Sequence, residues 1–370
     1  FVRKYYEKTH DELSKIKLSD EFKDTVDEYV NNLINNAHFK EDMVFKYKDY
    51  SKNELNKLLK ERYKTIPLFE RIEKISENVA NYNDNGKYKK KYIKSLLQNF
   101  SINKDYKEIY KGLFESESFI NKYGKFDTSF INKKEINYDD SLIFIYLKGL
   151  LEGFPYNGIL KQVIIDEAQD YTKLQYFILK KIFNRASFTI LGDINQTINP
   201  YYKYETLNEL ESIFNSDKVM LELTKTYRSS KEIIEYTNKI LGLNFVSAIR
   251  NKNNIPVIQK ESENIKNDLL EDILTLKKKY KSIAIITKND NEAKEIYEML
   301  KNDINIDIIS TNSNNFNRDL VVVPSYVSKG LEFDSVILYT DKLNKYTKDE
   351  KYLYYVACTR AQHELIIYNN

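Results

Sequence analysis

Five short stretches of this chain set side by side residue types that could do chemistry. Asp166-Glu167-Ala168-Gln169-Asp170 follows directly on Gln162-Val163-Ile164-Ile165, an apolar run rich in β-branched residues. An Asp at the end of such a strand can hold Mg²⁺ on a nucleotide's phosphates, and the Glu after it can deprotonate an attacking water. A pair of solvated acids at a strand end is the equally common alternative. A second apolar run, Ser187-Phe188-Thr189-Ile190-Leu191, ends in Gly192-Asp193-Ile194-Asn195-Gln196. That would aim Gln196 into the same crevice, where it could sense a γ-phosphate; a polar turn is the plainer reading. Thr226-Tyr227-Arg228-Ser229-Ser230 opens a helix, and either serine could cap it. Capping leaves Arg228 unexplained, and it is one of only 8 arginines beside 50 lysines. A planar, permanently charged fork suits bidentate grip of phosphate. In Ser328-Lys329-Gly330-Leu331-Glu332-Phe333-Asp334, Gly330 would permit close backbone approach and Glu332 could accept from a ribose hydroxyl. Tyr354 to Ala361 is helical with Arg360 near its end. Arg360 is either a cation favourably placed at a helix C-terminus or an arginine finger reaching phosphates held by another domain.

The elements that must position these residues follow from hydrophobic period. Residues 1 to about 150 are mainly helical, with apolar positions at threes and fours such as Val26, Tyr29, Val30 and Leu33. Asn81 to Gly86 is expected to be a loop, and Lys87-Tyr88-Lys89-Lys90-Lys91-Tyr92 a solvated helix face in preference to a phosphate patch. From residue 160 onward short β-rich runs alternate with helical ones. The two runs before the acids and before Gln196 are expected to be buried parallel strands joined by a helix from Lys173 to Phe183. Further strands are expected at Ser282–Thr287, Asn305–Ser310, Leu320–Val323, Ser335–Tyr339 and Glu364–Tyr368. Helices are expected between them at Ser230–Leu241, Ile265–Tyr280, Glu292–Lys301 and Lys351–Thr359. This alternation means α/β with parallel sheets, with a domain boundary near residues 215 to 228.

Composition bounds the possibilities. With 370 residues, 42% hydrophobic and 31% charged, two or three globular domains are expected. A net charge of +3 excludes a strongly basic coat but not a local basic groove. One cysteine, Cys358, excludes a disulfide framework and a cysteine zinc site. No apolar run reaches the ~18 residues of a membrane span, and no signal peptide is evident, so a soluble cytoplasmic protein is expected. The start at Phe1-Val2-Arg3, without Met, suggests a piece of something longer.

In order and spacing the five stretches resemble the motifs of superfamily 1 helicases and translocases of the UvrD/Rep type. Asp166 to Asp170 is similar to motif II and Gly192 to Gln196 to motif III. Thr226 to Ser229 resembles motif IV, Lys329 to Phe333 motif V, and Tyr355 to Ala361 motif VI. The resemblance runs from about residue 135 to the end. It implies P-loop NTPase (RecA-like) parallel sheets, one partial and one complete, with ATP between them. It also implies that Asp166 coordinates Mg²⁺, Glu167 is the general base, Gln196 contacts the γ-phosphate and the water, and Tyr227 stacks on adenine. Arg228 and Arg360 would contact the γ-phosphate, and Glu332, beside Gly330, would meet the ribose. The implied division is a helical insertion at 1–135, the end of the first motor domain at 136–222, and a second motor domain at 223–370. The implied partner is nucleic acid, DNA foremost.

Four features depart from that pattern. The Walker A sequence G-x-x-x-x-G-K-[ST] does not occur; Gly153 to Gly158 comes nearest, but Ile159-Leu160 follow it, as in a turn. The chain is therefore expected to be a fragment cut after the P-loop and inactive by itself. Only about a hundred residues separate Arg228 from Lys329, too few for a large 2B insertion. There is no Trp after motif III, where Tyr201 or Tyr202 could stack on bases or simply pack. Motif V begins Pro324-Ser325-Tyr326 in place of Thr and His. All four resemble the HelD (helicase IV-like) branch, as do Ile165–Tyr171, Leu191–Ile198 and Ser325–Asp334. Tyr138 to Leu150 and Ile66 to Arg71 are weaker matches. That branch implies an ATPase that binds RNA polymerase and releases it from nucleic acid.

Overall fold

A computed structural model describes residues 12–132, 134–156, 158–199, 202–214, 218–250, 255–310, 319–341 and 344–369. Tyr201, one of the two candidate stacking tyrosines, lies outside the described residues.

The first part is helical: α1 Glu12–Lys17, α2 Asp20–Asn36, α3 Lys52–Lys57 continuing into a π-turn at Leu58–Arg62, α4 Leu68–Asp84, α5 Lys89–Gln98, α6 Tyr106–Glu115, α7 Glu117–Tyr123 and α8 Tyr138–Glu152. Side chains start several of them. Ser19, Ser51, Asp105 and Ser116 each accept a first-turn amide that would otherwise lack a partner. The apolar stripes, with Phe22, Val26 and Val30 of α2 among them, meet in one core with Ile72, Ile75 and Val79 of α4 and Leu147 and Leu151 of α8. The expected loop at Asn81–Gly86 is shorter in the structure. Helix α4 runs through Asp84, and the turn is made by Asn85 (φ 50°) and Gly86 (φ 81°), two residues that tolerate left-handed backbone. Lys17, almost fully buried, pairs with Asp140 at 2.5 Å and Asp139 at 3.4 Å, tying α1 to α8.

Strands β1 Gln162–Ile165 and β2 Ser187–Ile190 pair in parallel, Ile165 opposite Ile190, joined by α9 Lys173–Ile182. A short helix α10, Glu211–Phe214, closes one side of them. These strands were expected to be buried on both faces, and they are not. Val163, Ile165, Phe188 and Ile190 pack on Tyr176 and Phe214, but Gln162 and Ile164 on the other face are exposed. Side chains alternate along a strand, and among the described residues the second face of this pair has no covering element.

The remaining strands are β3 Lys225–Thr226, β4 Ser247–Ala248, β5 Ile258–Lys260, β6 Ile283–Thr287, β7 Asp307–Ile308, β8 Leu320–Pro324, β9 Phe333–Thr340 and β10 Ala361–Asn369. β3 and β4 form a short parallel pair, and the others one parallel sheet of six in the order β5-β10-β9-β6-β8-β7. Four helices serve it: α11 Lys231–Leu241, α12 Ile265–Lys277, α13 Asp290–Leu300 and α14 Lys351–Cys358. Ile283, Ile285, Val322 and Ile337 face α12 and α13; the intervening Ala284, Ile286, Val323 and Leu338 face α11 and α14. Both faces are covered, which is why these strands are continuous apolar runs. The expected strand at 305–310 shrinks to two residues at the sheet's edge, where only β8 pairs with it.

Candidate functional site

The acids and Gln196 stand where β1 and β2 end. Leu191 N donates to Ile165 O at 2.8 Å and Ala168 N to Leu191 O at 2.9 Å, so the two loops leave the sheet locked together. Gly192 makes this possible. A Cβ there would lie 2.7 Å from Gln169 Oε1, 2.9 Å from Ala168 Cβ and 3.0 Å from Ala168 N. Buried Gln169 completes the clamp: its Oε1 accepts from Asp193 N at 3.0 Å and its Nε2 donates to Glu167 Oε2 at 2.6 Å. Glu167 is one of two non-glycine residues with positive φ (51°) among those described. That backbone costs about 1 kcal/mol, and such outliers cluster at functional sites. Asp166 Oδ1 accepts from Glu167 N at 2.8 Å and otherwise faces solvent.

Side chains from the six-stranded sheet reach these loops. Arg360, only 1% exposed, follows α14 and begins the turn into β10. Its Nη2 donates to Gln196 Oε1 at 2.7 Å, while Nε and Nη1 are held by the carbonyls of Val356 (3.0 Å) and Leu331 (3.3 Å). Gln196 is itself oriented by Nε2 donating to Asp193 Oδ2 at 2.9 Å. Burial first, and the Arg228 charge second, bring the Arg360 guanidinium down to about 10, against the pull of Glu167 and Glu332. Lys329 crosses in the same direction. Its ammonium donates to Asp170 Oδ2 at 2.7 Å and to Gln196 O at 2.8 Å, and lies 3.4 Å from Glu167 Oε2. Burial raises the Asp170 carboxyl above its ordinary range, and Lys329 opposes that rise. An apolar contact lies alongside: Ile198 packs with Tyr326, Leu353 and Val356.

Arg228 Nε pairs with Glu332 Oε1 at 2.7 Å, and Glu332 Oε2 accepts from Gln362 Nε2 at 2.8 Å. Glu332 is thus occupied by protein donors in this structure. Tyr227 stands 69% exposed, free to receive a flat ring. Gly330 has nothing within 4 Å of a Cβ position, and its φ of 79° is a backbone conformation that favours glycine. Capping by Ser229 or Ser230 is also corrected. Ser230 occupies the cap position of α11 without accepting an amide, and Ser229 Oγ donates to Ala361 O at 2.6 Å, fastening motif IV to motif VI. Tyr202 packs edge-to-face on Tyr204 (centroids 4.9 Å apart) with its hydroxyl buried, so it belongs to the core and not to a stacking platform.

The structure therefore brings together Glu167, Gln196 and Arg360, places Arg228 and Glu332 beside them as an ion pair, and leaves Asp166 and Tyr227 at the open rim. Lys329, Asp170 and Gln169 were not singled out from sequence. The signal for Asp170 was its place four residues after Asp166. One lysine among 50 carries none.

Comparison with known proteins decides the family. Residues 1–205, more than half of the chain, match the UvrD/REP helicase N-terminal domain, and residues 326–370 match the UvrD-like helicase C-terminal domain. The chain belongs to the UvrD/REP helicase family. The match begins at residue 1, well ahead of the position near 135 that the motifs alone suggested. The ATP-dependent DNA helicase srs2 of Schizosaccharomyces pombe is 32% identical over 132 residues, 35% of this chain and 14% of that protein. An ATP-dependent helicase/nuclease of Oenococcus oeni is 26% identical over 87 residues, 22% of this chain and 7% of that one. The chain thus spans a minor part of the length of both curated relatives. A crystal structure of the C-terminal domain of a possible DNA helicase from Lactobacillus plantarum is 28% identical, covering 39% of this chain and 86% of that one, with a TM-score of 0.33. The parallel sheets and flanking helices are the RecA-like α/β fold of UvrD/REP helicases. Among the described residues, no helix is long and apolar enough to cross a membrane.

Proposed function

We propose that this chain is the C-terminal part of a UvrD/REP motor that couples ATP hydrolysis to movement on, or remodelling of, nucleic-acid complexes, DNA foremost. The observation that carries the reading is the Arg360–Gln196 hydrogen bond, which runs from the end of one parallel sheet to the end of another. A γ-phosphate reaching Gln196 would meet a buried guanidinium already aimed at that place. Glu167 is the general base, with Lys329 and Gln169 orienting its carboxylate. Arg228 exchanges Glu332 for phosphate, which leaves Glu332 to a ribose hydroxyl, and Tyr227 takes the adenine. Gly330 supplies the backbone turn that aims Lys329.

Two observations test the fit of ATP and Mg²⁺: Lys329 and Arg360 reach Glu167 and Gln196, with the Arg228–Glu332 pair beside them and Asp166 exposed at the rim, and no group of three acidic, His or Cys ligands exists among the described residues. That suits a Mg²⁺ held mainly by phosphates and one carboxylate, Asp166. Bound there, the ion would neutralise charge developing on the phosphates. The domain division follows the same reading: a helical insertion at 1–135, the end of the first motor domain at 136–222, and a second motor domain at 223–370. On this reading the motor would work in the cytoplasm.

With no G-x-x-x-x-G-K-[ST] among them, these 370 residues alone are expected to hydrolyse ATP negligibly. Robust, Mg²⁺-dependent phosphate release that disappears in Glu167→Gln would overturn that expectation. The motor reading itself is tested in a chain that includes a Walker A segment. There Glu167→Gln and Arg360→Ala should each lower kcat by at least about 100-fold; wild-type turnover in both would sink it.

One observation favours a HelD-like second reading, in which ATP switches a factor that releases RNA polymerase from nucleic acid. The six-stranded sheet and its helices use nearly all of residues 229–328, leaving no separate 2B unit there among the described residues. Capture of core RNA polymerase by the purified chain supports it; tight single-strand binding without capture returns the reading to an ordinary translocase.

A further inference from the structure

We propose that the surface around Tyr47, Tyr82 and Tyr88 in the helical region binds single-stranded nucleic acid. Two loops build it. Asn85 and Gly86 turn the chain from α4 into α5, and the loop before α3 is clamped against this turn. The clamp is Asn83, 1% exposed, whose Oδ1 accepts from Tyr47 N at 2.8 Å and Lys48 N at 3.3 Å and whose Nδ2 donates to Val79 O at 2.9 Å. Phe45 seats the same loop edge-on against Tyr92, with centroids 5.2 Å apart, and the Tyr92 hydroxyl donates to Asp84. The backbone is therefore fixed, yet three large rings stand out of it: Tyr47 is 67%, Tyr82 66% and Tyr88 49% exposed.

Each ring is accompanied by an ammonium. Lys46 lies 4.5 Å from the Tyr47 centroid, Lys48 5.0 Å from that of Tyr82, and Lys87 5.4 Å from that of Tyr88. Residues 74–94 hold six lysines and two acids. Those acids are already engaged, Glu77 by Lys74 and Lys89 and Asp84 by Tyr92. Lys46, Lys87, Lys90 and Lys91 form no ion pair among the described residues. Unpaired lysines can replace the counterions of phosphates, and exposed ring faces offer stacking to any unpaired base. A duplex hides its base faces, whereas a single strand uses both features at once, its bases stacking on the rings and its phosphates meeting the lysines, so the combination favours a single strand. Among the described residues, no hydrogen bond or ion pair joins this surface to the Glu167–Arg360 cluster. The inference therefore stands apart from the reading of the ATP cleft.

The test uses the 370-residue chain without nucleotide, so that failure of the motor reading does not move it. Fluorescein-labelled oligothymidylate and oligouridylate of about 20 nucleotides, longer than one typical site, are titrated by anisotropy. The joint change Tyr47→Ala, Tyr82→Ala, Tyr88→Ala should weaken binding by on the order of 10-fold or more, while the Tyr→Phe set keeps the rings and the affinity. Lys87→Gln, Lys90→Gln, Lys91→Gln should reduce the slope of log affinity against log salt by about 2. Cross-linking to 5-iodouracil strands should label residues 45–48 and 82–88. All positions are at the surface, and matching circular-dichroism melts check folding. Weakening with either strand chemistry supports the site. Wild-type affinity in the Tyr→Ala set overturns it, as does equal loss in the Tyr→Phe set or cross-links confined elsewhere. Competition by poly-glutamate with no dependence on the tyrosines would instead mark a site for an acidic protein, and also overturns it.

Discussion

Lys329 has the most to do of any single side chain, and its type is the least informative in the chain. Its ammonium sits among two carboxylates and a carbonyl that belong to the other sheet's loops. Replacing it with Met keeps the stem and removes the charge, leaving Asp170 and Glu167 facing each other without a cation. A loss of about 1–3 kcal/mol in urea unfolding at neutral pH is expected. The pH dependence has a definite sign. Burial already raises the Asp170 carboxyl while Lys329 opposes that, so the variant's Asp170 should be higher still. A raised carboxyl contributes stability below its unfolded value and loses it as pH rises through the folded one. The penalty of Lys329→Met should therefore shrink as the pH is lowered toward the acid range; a penalty that grows on acidification would contradict this account.

At the scale of elements, the site depends on how closely two strand-end loops approach. Gly192 sits against Gln169 Oε1 and the Ala168 backbone, neither of which can yield cheaply, because both are hydrogen-bonded in place. Gly192→Ala should cost about 1–3 kcal/mol and shift the Asp193–Gln196 turn. Nuclear magnetic resonance shifts of the Gln196 side-chain amide would report the displacement, and unchanged shifts with unchanged stability would refute the packing account. Sequence made the parallel strands legible because burial on both faces demands unbroken apolar runs such as Ile283–Thr287 and Leu320–Pro324. Two features escaped it. Ile164 looks like a core residue by type, and only the lack of a second layer leaves it exposed. Asn81 to Asp84 have turn-forming composition, yet packing of Val79, Ala80 and Asn83 carries the helix through them.

As a whole molecule, the described residues form two large apolar cores that share no residue. One joins α1–α8 with Leu174 and Ile178 of α9; the other pair of clusters covers the six-stranded sheet. Denaturant unfolding should accordingly show at least two transitions. Phe119→Ala, at the centre of the helical aromatic cluster, should destabilise one transition, and Ile285→Ala in β6 the other, each by about 2–5 kcal/mol. A single transition shifted equally by both would mean one cooperative unit. The sequence by itself determined which residues could do chemistry and that the acids and Gln196 follow parallel strands, because residue type and hydrophobic period are local properties. The tertiary structure alone decided which of them meet. Arg360 and Gln196 lie 164 positions apart, and only the packing of α14 against the loop after β2 sets one guanidinium against one amide. The same packing decided that Arg228 rests on Glu332, that Tyr202 is core, and that an unmarked lysine stands between the acids.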